Sequence, residues 1–156
     1  MAATDGPVLL VLSRQNLPLV REEAGTNRVA EGAYLLRDPG ERHVTLIATG
    51  SEVEIALAAA DALTRDGIAA AVVSAPSFER FAGRPETERA AVLGTAPRIG
   101  VEAAVRQGWD LLLRPDDGFV GMTGFGASAP AKDLFRHFGF TSAAVVEAAE
   151  SLLNGD

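Results

Sequence analysis

Cysteine is missing from this 156-residue chain, and lysine occurs once, at Lys132. Without cysteine, neither a disulfide nor a thiolate metal site is available. The two histidines, His43 and His137, are far apart, and neither has a second ligand at helical spacing. Both are therefore expected at the surface, and no metal site is expected. Clustered basic residues are also lacking. The formal net charge of -7 is spread without a block of like sign, which disfavours nucleic acid and anionic membranes as partners. No apolar stretch approaches the ~20 residues needed to span a bilayer. The opening "MAATDGP" has neither the basic nor the apolar region of a signal peptide, so a cytoplasmic location is expected.

What is there is the make-up of a folded domain. Hydrophobic residues are 47% of the chain and charged residues 22%, the balance of a globular protein with one core. Val8 to Ser13 is a continuous apolar run, which predicts a strand buried on both faces. Residues 14–31 mix charges, Pro18 and Gly25 with no sustained period and read as a linker. That break assigns the first strand to something other than the domain that follows.

From Gly32 the pattern alternates. "AYLLRD" (33–38) predicts a short strand ended by Pro39-Gly40, and "HVTLIAT" (43–49) a β-branched strand. A helix follows Gly50-Ser51, with Val53, Leu57 and Ala60 at helical spacing and Gly67 at its end. Ser51 and Glu54 have capping-box spacing. "IAAAVVSA" (68–75) completes a βαβ unit, a short helix begins near Pro85, and "RIGVEAAV" (98–105) and "GFVGMTG" (118–124) predict further strands. Pro130 opens a helix closed by Gly139, and Thr141 caps a last one with Val145, Ala148, Ala149 and Leu152 on one face. The expected fold is α/β: three layers, with a mostly parallel, mixed sheet of about five strands and helices on its faces.

Candidate sites are few. "ATGSEV" (48–53) is a strand-to-helix turn of the kind that cradles phosphate, but it carries one glycine, no Walker lysine, and Glu52 where the anion would sit. Helix capping explains the same residues. "GFGASAP" (124–130) is either an anion nest or a turn whose small residues allow close packing. Glu102 in a strand-like run is a catalytic acid or, more simply, a hydrogen-bonded structural carboxylate. Trp109 is expected as a core or interface anchor. No complete catalytic constellation can be assembled.

Six segments in order carry a further signal: "LSRQNLP" (12–18), "GAYLL" (32–36), "LIATGSEVEIALAAADAL" (46–63), "VVSAPSFERF" (72–81), "VEAAVRQGW" (101–109) and "GMTGFGASAPAKDLFRHFGFT" (121–141). Their series resembles the C-terminal end of transketolase across nearly the whole chain. The resemblance implies the C-terminal α/β domain over 32–154, with residues 1–31 supplying the last strand of the pyrimidine-binding domain plus a linker. It implies part of an enzyme of the pentose phosphate pathway that moves a two-carbon ketol unit from a ketose phosphate to an aldose phosphate. Thiamine diphosphate and Mg2+ (or Ca2+) serve the complete enzyme, a likeness that also implies a homodimer and partnership with the remaining transketolase domains. No catalytic, cofactor-binding or metal residue falls within these segments, so the isolated chain is expected to be inactive. Arg14 matches the family arginine that binds the substrate phosphate. Arg84, Glu88 and Gly94 depart from the family's usual residues around the "FERF" loop. The alternative is a non-catalytic assembly or regulatory ligand-binding module of a related thiamine diphosphate enzyme.

Overall fold

The computed structural model describes residues 7–23 and 25–155. Five strands form one sheet: β1 (Tyr34–Arg37), β2 (Val44–Ala48), β3 (Ala70–Ser74), β4 (Arg98–Val101) and β5 (Gly118–Val120). Their order is β1-β3-β2-β4-β5. β1 runs antiparallel to β3, while the β2–β3, β2–β4 and β4–β5 pairs are parallel. This is the mixed, mostly parallel sheet expected. β2 is central and buried at all five positions, as its β-branched sequence on both faces requires.

Among the described residues there are five α-helices: α1 (Glu52–Arg65), α2 (Phe78–Ala82), α3 (Glu86–Leu93), α4 (Ala131–His137) and α5 (Ser142–Asn154). Adjacent residues of β2 point to opposite layers. Leu46 joins Val72, Ile99, Ala56, Leu63 and Val145 in a core under α1 and α5. Ile47 joins Val73, Phe81, Leu93, Trp109 and Leu112 in a second core on the other face. Alanines 56, 59 and 60 on the buried face of α1 let that helix approach closely. A Schellman motif ends α1: Ile68 N–H donates to Leu63 O at 2.8 Å and Gly67 N–H to Thr64 O at 3.2 Å. Gly67 has φ +80, the left-handed conformation that this motif requires.

Three expectations are corrected. Residues 8–13 form no strand and are exposed, Leu9 at 89%. An apolar run becomes a strand only when a neighbour pairs with it, and here β1 and β5 are the edges and leave it unpaired. Ser51 has helical backbone angles, φ -69 and ψ -22, and makes no cap bond, so the capping box with Glu54 is absent. An N-cap hydroxyl meets the helix N–H groups from an extended backbone. By contrast, Thr141 is extended and its Oγ1 accepts from Ala144 N–H at 3.2 Å, as expected. Finally, residues 124–130, the "GFGASAP" loop, do not pack closely. They are exposed, with Phe125 fully so. Within the linker, Arg28–Glu31 forms a 3-10 turn.

Candidate functional site at the carboxyl edge of the sheet

From β2 the chain crosses first to β3 and later returns to β4 on the other side. The carboxyl ends of β2 and β4 therefore flank the point where an open α/β sheet presents its crevice. β2 delivers Thr49, Gly50 and Ser51 there, followed by Glu52 at the start of α1, and β4 delivers Glu102. Trp109, wholly buried in a 3-10 turn (Trp109–Leu111), approaches from the second core. Its ring lies on β4 because Gly100 has no side chain: a Cβ there would come within 2.7 Å of the indole.

Glu102 is held by two donors. Trp109 Nε1 donates to Oε2 at 2.5 Å, and Thr49 Oγ1 donates to Oε1 at 3.3 Å. That is the structural hydrogen bonding expected of it. Glu52 is 5% exposed and receives the Ser51 hydroxyl on Oε1 at 3.0 Å. Burial raises the Glu52 carboxyl above its ordinary value, with the negative charge of Glu102 adding to the rise. The Ser51 hydroxyl and the Glu52 N–H oppose it. Two carboxylates where a phosphate would sit repel that ligand, which removes the phosphate-cradle reading of "ATGSEV".

Sequence reasoning named Glu52 and Glu102 separately and missed that they share one site. The sequence signal was weak, since the predicted strand 98–105 holds Glu102 in its interior and Glu52 stands three residues beyond the predicted strand 43–49.

Arg14 lies on the exposed segment that precedes the domain. Its neighbour Ser13 reaches the site: a Cβ on Gly50 would lie 3.9 Å from Ser13 Oγ and the same distance from Glu52 Oε2. His43 is exposed and accepts the Ala69 N–H on Nδ1 at 3.0 Å. His137 is exposed with its ring against Phe138. Among the described residues no group of three or more His, Cys, Asp or Glu could hold a metal ion. Arg84 and Glu88 pair with each other at 2.7 Å, and Arg84 also meets Glu31 at 3.3 Å, tying the 3-10 turn to α3. Gly94 has φ +66 and ends α3.

A family profile described as "Transketolase-like TK C-terminal domain" matches residues 32–141. The chain is 69% identical over 151 residues to a transketolase of Cereibacter sphaeroides, covering 96% of this chain and 23% of that protein. It is 57% identical over 150 residues to a transketolase of Sinorhizobium medicae, covering 94% of this chain and 22% of the relative. Thus it spans under a quarter of the length of these relatives. Among solved structures, transketolase from Leishmania mexicana superposes with a TM-score of 0.77 at 39% identity, over 85% of this chain and 20% of its own. A split-gene transketolase described as an inactive beta4 tetramer shares the fold with a TM-score of 0.72 at 22% identity, over 90% of this chain and 48% of its own. With the profile spanning the sheet from β1 past β5 and on through α4, the chain belongs to the transketolase C-terminal domain family.

Proposed function

We propose that residues 32–154 serve as the C-terminal domain of a transketolase, with residues 1–31 as the end of its pyrimidine-binding domain and a linker. The observation that carries this reading is one of coverage. The relatives match 94–96% of this chain but only 22–23% of their own length. The complete enzyme transfers a two-carbon ketol unit from a ketose phosphate to an aldose phosphate, as a cytoplasmic homodimer in the pentose phosphate pathway.

Thiamine diphosphate with a divalent metal supplies the carbanion chemistry of such an enzyme. The described residues of this chain do not fit that group. Among the described residues no group of three or more His, Cys, Asp or Glu could hold a metal ion, and the crevice at the carboxyl edge carries two carboxylates that act on each other. No step is therefore assigned to the cofactor here. The chain's own contribution is Arg14, whose planar guanidinium can meet two phosphate oxygens of the substrate at once. Such a contact positions the substrate and makes no bond.

A calorimetric titration of the chain with thiamine diphosphate and Mg2+ tests this division of labour. No binding heat is expected, and tight binding would show that the chain holds a cofactor site of its own.

Phe125 and the exposed apolar residues 8–12 favour a second reading in which the domain also serves assembly. A thermal-shift screen of nucleotides and sugar phosphates separates it from ligand binding, because a ligand of the native state raises Tm.

A further inference from the structure

Part of the carboxyl edge is covered by the chain's own residues 13–21, which form neither helix nor strand. Three observations place them there. Ser13 lies beside Gly50, as described above. Leu17, Pro18 and Val20 share the walls of one cavity with Tyr34, Gly50 and Val53. Leu17 and Val20 are 43% and 37% exposed, whereas Leu19 between them is 84% exposed, so the segment turns one side to the domain. At the far end the Arg21 guanidinium lies 5.6 Å from the centre of the Tyr34 ring, and Arg28 stands 5.2 Å from the same ring. Arg21 Nη2 is further fixed by the Thr26 carbonyl at 2.9 Å.

Arg14 thus sits between Ser13, whose Oγ lies near Gly50, and Arg21, whose guanidinium lies by the Tyr34 ring, with Pro18 restricting the backbone between them. This placement matters because a guanidinium fork meets two phosphate oxygens only when its plane is aimed. Gly50 has φ +50, so a side chain there is strained, and its Cβ would stand in ordinary contact with Ser13 Oγ and Glu52 Oε2, each 3.9 Å away.

We propose that Tyr34, Gly50 and Val53 form a seat for residues 13–21 that fixes how Arg14 is presented, and are positioning residues for the substrate phosphate. The proposal rests on the phosphate reading of Arg14. It gives the domain a task in a reaction whose chemistry lies elsewhere: it aims an arginine that belongs to the preceding segment.

The test has two parts. In the chain itself, 15N relaxation should give residues 13–21 order parameters near those of α1, about 0.85, against below ~0.6 for a free tail. Leu17→Ser combined with Val20→Ser alters two partly exposed side chains and leaves Arg14 intact. This double variant should drop the segment to the tail value with an unchanged circular dichroism spectrum. In a complete transketolase carrying this domain, it should raise KM for phosphorylated acceptors about tenfold, with kcat and KM for unphosphorylated acceptors nearly unchanged. Tail-like order in the unaltered chain overturns the proposal, as does an equal KM change for both acceptor classes. Arg14→Ala separates the two ideas. A phosphate-selective KM rise for Arg14→Ala, without one for the double variant, removes the seat and keeps the arginine's role. Absence of selectivity in both removes the arginine's role.

Discussion

Trp109 Nε1 donates to Glu102 Oε2 at 2.5 Å, joining the buried 3-10 turn to the carboxyl end of β4. The same ring stacks edge-on with Phe78 at 5.0 Å between centres and tilts against Phe119 at 5.3 Å. One residue thus anchors the second core and satisfies a carboxylate at the switch point. Trp109→Phe keeps an aromatic ring but leaves Glu102 with only the Thr49 hydroxyl. It is expected to destabilise the chain by about 1–3 kcal/mol, read as a lowered urea midpoint. In the Trp109→Phe background, a further Glu102→Gln change should cost less than it does alone, because the two residues are coupled. Additive effects contradict the contact.

Glu52 gives the chain a pH dependence of unusual sign. Its carboxyl is raised, chiefly by burial, so the folded state holds the proton more tightly than the unfolded state does. Its negative charge therefore costs stability above the folded pKa, and the cost vanishes below the unfolded value of about 4.3. Glu52→Gln should raise Tm at pH 8, and the gain should shrink to nothing by pH 4. Thermal melts across that range check it, and a gain that grows towards low pH contradicts it.

Asp117 has the opposite sign. It is 6% exposed and accepts the Arg98 N–H at 2.9 Å, the Arg114 N–H at 2.8 Å and Arg114 Nη2 at 2.8 Å. Burial pushes its carboxyl up, but the Arg114 side chain and the two backbone N–H groups together hold it below the ordinary value. Its stabilisation is present above the unfolded pKa of about 3.9 and is lost as pH falls through the lower folded pKa. Asp117→Asn should cost roughly 2–3 kcal/mol at pH 7 by urea titration, with the difference from the parent shrinking only below about pH 4.

Within a complete enzyme, Arg14→Ala should raise KM for sugar phosphates by the equivalent of about 1.5–3 kcal/mol, the worth of a hydrogen bond to a charged group. Steady-state kinetics with phosphorylated and unphosphorylated acceptors measure this. Equal changes in the two contradict the phosphate role.

The sequence made the fold readable where periodicity and burial coincide. Val44–Ala48 and Ala70–Ser74 are buried, β-branched and alanine-rich, and their parallel pairing follows from the helix between them. Val8–Ser13 shows the same apolar run but lacks a neighbour, and composition does not reveal whether a neighbour is at hand. Ser51 fits the capping spacing, yet its backbone is already helical, a property that spacing does not encode. The site was legible only in parts. Trp109 was expected in the core and Glu102 in a hydrogen-bonded role, and both are found there. The meeting of Glu102 with Glu52 depends on β2 and β4 being adjacent, which strand order alone decides. The seat of residues 13–21 left no trace in the sequence because its contacts follow no repeat.

A graft asks whether this chain serves as the C-terminal domain of a transketolase. The corresponding C-terminal portion of the Cereibacter sphaeroides transketolase, 69% identical over 151 residues, is replaced by this chain, and ketol transfer between sugar phosphates is assayed. Activity close to that of the parent is expected from the chimera, and none from the 156-residue chain alone. A correctly folded chimera without activity, or ketol transfer by the chain alone, would contradict that role.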